Sequence, residues 1–300
     1  MHGVIPVNKD KGLTSHDVVM RMRRILGMKK VGHTGTLDPE VTGVLPIVVG
    51  EGTKLTEYLQ TKKKSYRARV TLGYSTDTED QTGQVENRNV TDGITDAMID
   101  EAIVTFQGDY TQRVPRYASV KINGKKLYEY ARQGIEVERP LRTVSIFQIS
   151  RIGTIERDSG LIHFDIDVTC SKGTYIRTLA VDIGRSLETA AHMSALIRTE
   201  SCGITLNQSA TLEELKSGDA AAHLIPIRKL IEELPTVDIE DENFLKKILN
   251  GQKVYKSAIM EMVEDRTDKV VFRNEGKVIG IYHDHPEKQE MMKPYKMFNL

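Results

Sequence analysis

Residues 32–46 read Gly32-His33-Thr34-Gly35-Thr36-Leu37-Asp38-Pro39-Glu40-Val41-Thr42-Gly43-Val44-Leu45-Pro46. Three glycines and two prolines in this stretch predict a rigid, irregular loop whose backbone enters conformations other residues resist. Asp38 stands directly before Pro39, which biases it toward extended geometry. Leu37, Val44 and Leu45 surround it with apolar surface. Its carboxylate is therefore expected to be partly desolvated and to need a cation to stay ionised. The same residue would equally serve as a turn aspartate capping its own backbone. The loop matches neither G-x-x-x-x-G-K-[ST] nor G-x-G-x-x-G, which sets nucleoside-triphosphate and dinucleotide binding aside.

Working outward, Ser15 reads as an N-cap before Val18, Val19, Met22, Ile25 and Leu26 at helical spacing, with Gly27 as the stop and Arg21 and Arg24 on the other face. Residues 65–74 predict a strand, because Tyr66, Ala68, Val70 and Leu72 alternate with polar neighbours. Thr95 opens a second helix with Ile99, Ala102, Ile103 and Phe106 on one face. The cleanest period of two runs from Leu161 to Cys170. Residues 174–187 return to helical spacing and carry Arg177 in their first turns, where it is a candidate cation for Asp38. Strands and helices interleave without a strict βαβ rhythm, so the fold class is α+β. Leu234-Pro235 reads as a linker. Beyond it, 269–273 and 277–282 form a hairpin through Asn274-Glu275-Gly276, predicting a small β-domain over 238–300 after a first domain over 1–237.

A chain of 300 residues buries a core without disulfide or metal staples. Its longest apolar runs, such as residues 43–50, fall short of the ~20 residues of a membrane span, and no signal peptide is visible at the start. Two cysteines form no framework, which fits a reducing cytoplasm. Zero formal net charge conceals uneven blocks. Residues 1–67 carry twelve Lys and Arg against six acids, and 111–142 carry eight against three, whereas 77–101 carry eight acids against Arg88. Such basic blocks suit a phosphate backbone or, equally, solvated helix faces. Metal chemistry has no support, since the eight histidines are scattered and His283 and His285 lack companions. No G-x-S-x-G elbow is present, and serine or cysteine nucleophiles have no motif behind them.

Three segments in order, GHTGTLDPEVTGVLP at 32–46, KKLYEYARQG at 125–134 and SKGTYIRTL at 171–179, resemble the TruB family of bacterial tRNA pseudouridine synthases. The resemblance covers about the first two hundred residues and is looser past Pro235. It implies a pseudouridine-synthase fold with a mixed, largely antiparallel central sheet flanked by helices and loops, followed by a PUA-like RNA-binding β-domain. It implies isomerisation of uridine 55 in the tRNA T-loop to pseudouridine, without metal or organic cofactor, by a stand-alone cytoplasmic monomer that contacts the T-arm and no membrane. Asp38 matches the family's catalytic aspartate and Arg177 its salt-bridge partner. Tyr66 matches the tyrosine that stacks on the flipped uracil, its hydroxyl being a candidate for handling the C5 proton. His33 is expected to hold the displaced base and Leu196 to wall its pocket, although Tyr66 and Leu196 suit plain core packing as well. Lys9, Lys125 and Tyr128 are expected to bind substrate, the latter two within an RNA-clamping insertion at 113–142.

Two positions depart from the family pattern. Asp10 replaces the proline of the usual Lys-Pro-x-Gly in Lys9-Asp10-Lys11-Gly12, and Cys202 alters the usual Ser-Gly-x-Phe. The alternatives are a noncatalytic tRNA-binding or remodelling protein on the same scaffold and, more distantly, a nucleoside glycosidase. The second would need another carboxylate as acid.

Overall fold

The structure, a computed structural model, describes residues 1–260, 263 and 268–299. Among these, strands assemble into a ten-stranded sheet, a five-stranded sheet and two short two-stranded ribbons. From edge to edge the large sheet runs Ile225–Pro226, Gly3–Lys9, Thr42–Val49, Ala191–Ser201, Lys64–Leu72, Leu161–Cys170, Leu141–Asp158 and Gly108–Arg113. Val31–His33 and Ile204–Thr205 pair off this path. Every pairing in it is antiparallel except one. Ala191–Ser201 runs parallel to Thr42–Val49, with Ile197 facing Thr42 and Arg198 facing Gly43.

The alternation read from Leu161–Cys170 decides which face is buried. Ile162, Phe164, Ile166, Val168 and Cys170 all lie in the core, together with Ala68, Val70 and Leu72 of the neighbouring strand. Leu179, Ala180 and Ile183 of the helix Ile176–Ser186 close over them. Each large apolar side chain buried this way contributes about 1.5–3 kcal/mol relative to exposure. The strand expected over 65–74 is Lys64–Leu72, ended by Gly73 at φ +112°. Tyr74–Thr76 beyond it pairs with Val85–Arg88 in a separate ribbon.

Ser15 is not the cap of the first helix. Thr14 is: its Oγ1 accepts from the Asp17 amide at 3.0 Å and the Asp17 carboxylate accepts from the Thr14 amide at 2.9 Å, closing a capping box. Ser15 is the first residue of Ser15–Leu26 and is buried, free to bond elsewhere. Gly27 ends the helix at φ +61°, as its place predicted.

Arg113 faces Leu141 across the large sheet, and the residues between them leave it altogether. They form the hairpin Lys121–Ile122 with Lys125–Lys126, then the helix Leu127–Arg132, around a small core of Val114, Ala118 and Leu127.

The smaller sheet runs Thr236–Asp238, Lys269–Asn274, Lys277–Asp284, Met291–Met297 and Val254–Tyr255. Asn274 pairs with Lys277, so the hairpin turn shrinks to Glu275 and Gly276, both at positive φ. Val271, Val278, Ile281 and Phe298 pack with Val48, Leu55, Tyr58 and Leu59 in one apolar cluster that joins the two sheets. Among the described residues, no helix is long and apolar enough to cross a membrane.

Candidate active site

The loop between the strands Val31–His33 and Thr42–Val49 carries Asp38, and several peptides on both sides of it are tied down. Ser15 Oγ accepts from the Leu37 amide at 2.9 Å and donates to the Leu37 carbonyl at 3.2 Å. The Gly12 amide and the Lys9 ammonium both donate to the Pro39 carbonyl, at 2.8 and 3.1 Å. Arg198 Nε donates to Val44 O at 2.7 Å and its Nη2 to Gly35 O at 3.3 Å, gripping the loop at both ends. Such backbone anchoring fixes where the carboxylate starts from.

Asp38 Oδ2 lies 3.3 Å from Arg177 Nη2. The burial expected of the pair is distributed the other way round. The Asp38 side chain is 46% exposed, whereas that of Arg177 is 8% exposed. The buried guanidinium therefore requires the carboxylate, rather than the carboxylate the cation. Arg177 also donates to Thr78 O at 3.1 Å and Tyr117 O at 3.0 Å, and Asp80 stands 3.8 Å from its Nη1. Four acceptors on three segments hold its fork in one place.

Two clefts of about 670 Å³ each meet at Asp38 and Arg177. Tyr66, Lys64, Lys172, Tyr175 and Arg198 line the first, and His33, His16, Asp80, Lys126, Tyr128 and Arg132 line the second. Leu196 borders both. Tyr66 is buried with its ring in the first cleft's wall. Burial pushes its hydroxyl pKa up, while the Arg198 guanidinium works against that shift. Burial lowers the His33 imidazole pKa, assisted by the Arg198 and His16 charges and opposed by Gly35's backbone. His33 Nδ1 is buried without a hydrogen-bond partner among the described residues.

Two of the residues expected at the substrate lie elsewhere. Lys9 is fully buried, its ammonium on the carbonyls of Asp10, Leu13 and Pro39 at 2.9, 2.8 and 3.1 Å. No donor is left for RNA, so it is a brace beneath the loop. Lys125 lines neither cleft: its ammonium sits 4.7 Å over the Tyr130 ring and bonds Gln133. Conversely, sequence reading missed Asp80, Lys64, Lys172 and Arg198. Asp80 was hidden inside the acidic block 77–101, and no motif or periodicity singled out Arg198, which stands in the strand Ala191–Ser201. Cys202 stands at φ +60° in the turn between Ala191–Ser201 and Ile204–Thr205, the conformation that favours the glycine of the usual pattern. Among the described residues, no group of three or more His, Cys, Asp or Glu side chains is arranged to hold a metal ion.

The same fold occurs in a chain of a Cbf5-Nop10-Gar1 complex, with a TM-score of 0.69 at 24% identity, covering 99% of this chain and 84% of that one. It also occurs in an H/ACA RNP bound to a substrate RNA containing 2'-deoxyuridine, again at 0.69 and 24%, covering 100% and 86%. Residues 23–176 match the model of the TruB family pseudouridylate synthase N-terminal domain, and 177–234 that of the tRNA pseudouridylate synthase B C-terminal domain. The family match places this fold in the pseudouridine-synthase class. Over 305 residues the chain is 48% identical to tRNA pseudouridine synthase B of Staphylococcus saprophyticus, covering 99% of both. It is 47% identical over 310 residues to the protein of that name from Bacillus pumilus, covering 100% and 98%. The chain belongs to the TruB family.

Proposed function

We propose that the protein isomerises uridine 55 in the T-loop of tRNA to pseudouridine. The observation that carries this reading is the Asp38–Arg177 ion pair at the junction of the two clefts. A carboxylate that is half exposed yet held at a fixed point reaches a nucleotide turned out of its stack, and it serves as nucleophile or base without an external reagent. Asp38 initiates cleavage of the N1–C1′ bond, after which the uracil turns and rejoins through C5. Arg177 fixes the carboxylate. Tyr66 stacks on the base in the first cleft, Leu196 walls it, and the Tyr66 hydroxyl handles the C5 proton. His33 and Tyr128, in the second cleft, hold the RNA from which the base has been displaced.

The segment 113–142 clamps the T-arm; Lys126 and Arg132, which flank the Tyr128 ring at 5.4 Å each, support that role. Residues 1–237 act as the catalytic domain and 238–300 as a PUA-like RNA-binding domain, a division supported by the start of the smaller sheet at Thr236–Asp238. The enzyme works in the cytoplasm as a monomer with no protein partner. Mass-spectrometric detection of pseudouridine in a T-arm transcript tests the proposal. Asp38→Asn is expected to bind the transcript and form none; full activity in that variant ends the assignment.

A further inference from the structure

Arg198 has the largest of the fully buried side chains among the described residues, at 1% exposure. A cation withdrawn from water is normally matched by a carboxylate. Arg177 has two, Asp38 and Asp80, yet among the described residues no carboxylate pairs with Arg198. It donates instead to the carbonyls of Val44 and Gly35, on either side of the Asp38 loop. In the ladder between Ala191–Ser201 and Lys64–Leu72 it stands directly opposite Tyr66, so the two side chains share one face of the sheet and one cleft wall.

We propose that Arg198 is a positioning residue for the isomerisation: it holds both shoulders of the Asp38 loop and keeps a fixed positive charge behind the Tyr66 hydroxyl. This rests on the reading of Tyr66 as the group that handles the C5 proton. When the glycosidic bond breaks, the electron pair leaves with the uracil as an N1 anion. The Tyr66 hydroxyl gives its proton to N1. Once C1′–C5 has formed, the tyrosinate takes the C5 proton, and the C5–H electrons restore the ring double bond. One C–N bond is exchanged for one C–C bond and one C–H for one N–H, with no outside acid or base. The short-lived tyrosinate is the species that the guanidinium stabilises. Burial alone makes that species harder to form, and the Arg198 charge counters it.

The test is single-turnover isomerisation of a T-arm RNA carrying uridine or 5-deuterated uridine, with RNA affinity measured alongside. Arg198→Met is expected to slow the reaction about 10- to 100-fold with a larger deuterium effect than the parent, at near-parental affinity. Arg198→Lys restores a charge without the fork; it is expected to bring the deuterium effect back toward the parent while the rate stays low. If Arg198→Met does not fold, Arg198→Gln takes its place in the comparison. A loss of rate with an unchanged deuterium effect, or parental rates in the uncharged variants, overturns the proposal. Tyr66→Phe is run in parallel. Parental isomerisation in that variant removes the role given to Tyr66, a failure separable from that of Arg198.

Discussion

Leu141 faces Arg113 on one rung of the large sheet, although the whole insertion lies between them in sequence. The Val114 amide donates to the Pro140 carbonyl at 3.0 Å, closing the excursion at its base. The sheet is therefore complete without the insertion, which reaches the site from outside. Replacing residues 114–140 by a two-residue turn is expected to leave cooperative unfolding intact while T-arm affinity falls by about 100-fold or more. Calorimetry and filter binding check the two halves. Unchanged affinity would remove the clamp.

Glu79 is where the insertion is latched to the body. Its carboxylate accepts from Thr178 Oγ1 at 2.7 Å, next to Arg177 in the helix, and pairs with Arg139 at 3.3 Å. Its backbone sits at φ +63°, a conformation that side chains resist. Burial raises its pKa against the pull of Thr178, Arg139 and Arg177. Glu79→Gln keeps a group for Thr178 but removes the charge facing Arg139. Because burial outweighs those partners, the neutral isostere is expected to change stability by less than about 1 kcal/mol, while the release of Arg139 raises KM more than it lowers kcat. Steady-state kinetics on the T-arm substrate, with a denaturant titration, separates these.

Glu51 ties Asn299 to the turn that follows the strand Thr42–Val49 and sets an acid limit. Burial pushes its pKa up, but Lys30 at 2.5 Å, Lys54 at 2.6 Å and the Asn299 amide at 3.1 Å outweigh that, holding it at about 2 against an ordinary 4.5. A folded-state pKa below the unfolded one gives stability that is present above about pH 4.5 and lost as pH falls toward 2. The contribution is about 3–3.5 kcal/mol. Glu51→Gln is expected to lower stability at neutral pH by that order and to flatten its acid dependence. Melts between pH 3 and 7 give the answer (about one pKa unit per 1.4 kcal/mol).

Lys64, Lys172 and Arg142 around the first cleft, with Lys126 and Arg132 around the second, give a cationic rim to a chain of zero net charge. RNA affinity is expected to fall with salt at a log–log slope of several units. Arg132→Ala should reduce that slope by about one while leaving kcat near the parental value. A flat salt response removes the electrostatic clamp.

Much of the scaffold was legible because periodicity reports burial. Leu161–Cys170 alternates without a break, and the structure buries the face it predicts. Asp38 and Arg177 were legible as motif residues, but their relative burial was not. Which member of an ion pair is withdrawn from water depends on Thr78, Tyr117 and Asp80, all distant in sequence. Lys9 misled for a related reason. The family pattern around it implied a substrate ligand, and only the converging carbonyls of Asp10, Leu13 and Pro39 reveal a brace. Ser15 was displaced as cap because the Asp17 carboxylate completes a box with Thr14 instead.

Gly43 adopts φ +105°, and a methyl group built on it would lie 2.2 Å from the Arg198 carbonyl oxygen. At this parallel seam the two backbones leave no room for a side chain between them, and the segment bearing Asp38 rejoins the sheet from there. The tolerated alphabet at position 43 is thus a single letter. Even alanine would force apart the two strands that flank the Asp38 loop, so the placement of that carboxylate hangs from a residue with no side chain to contribute.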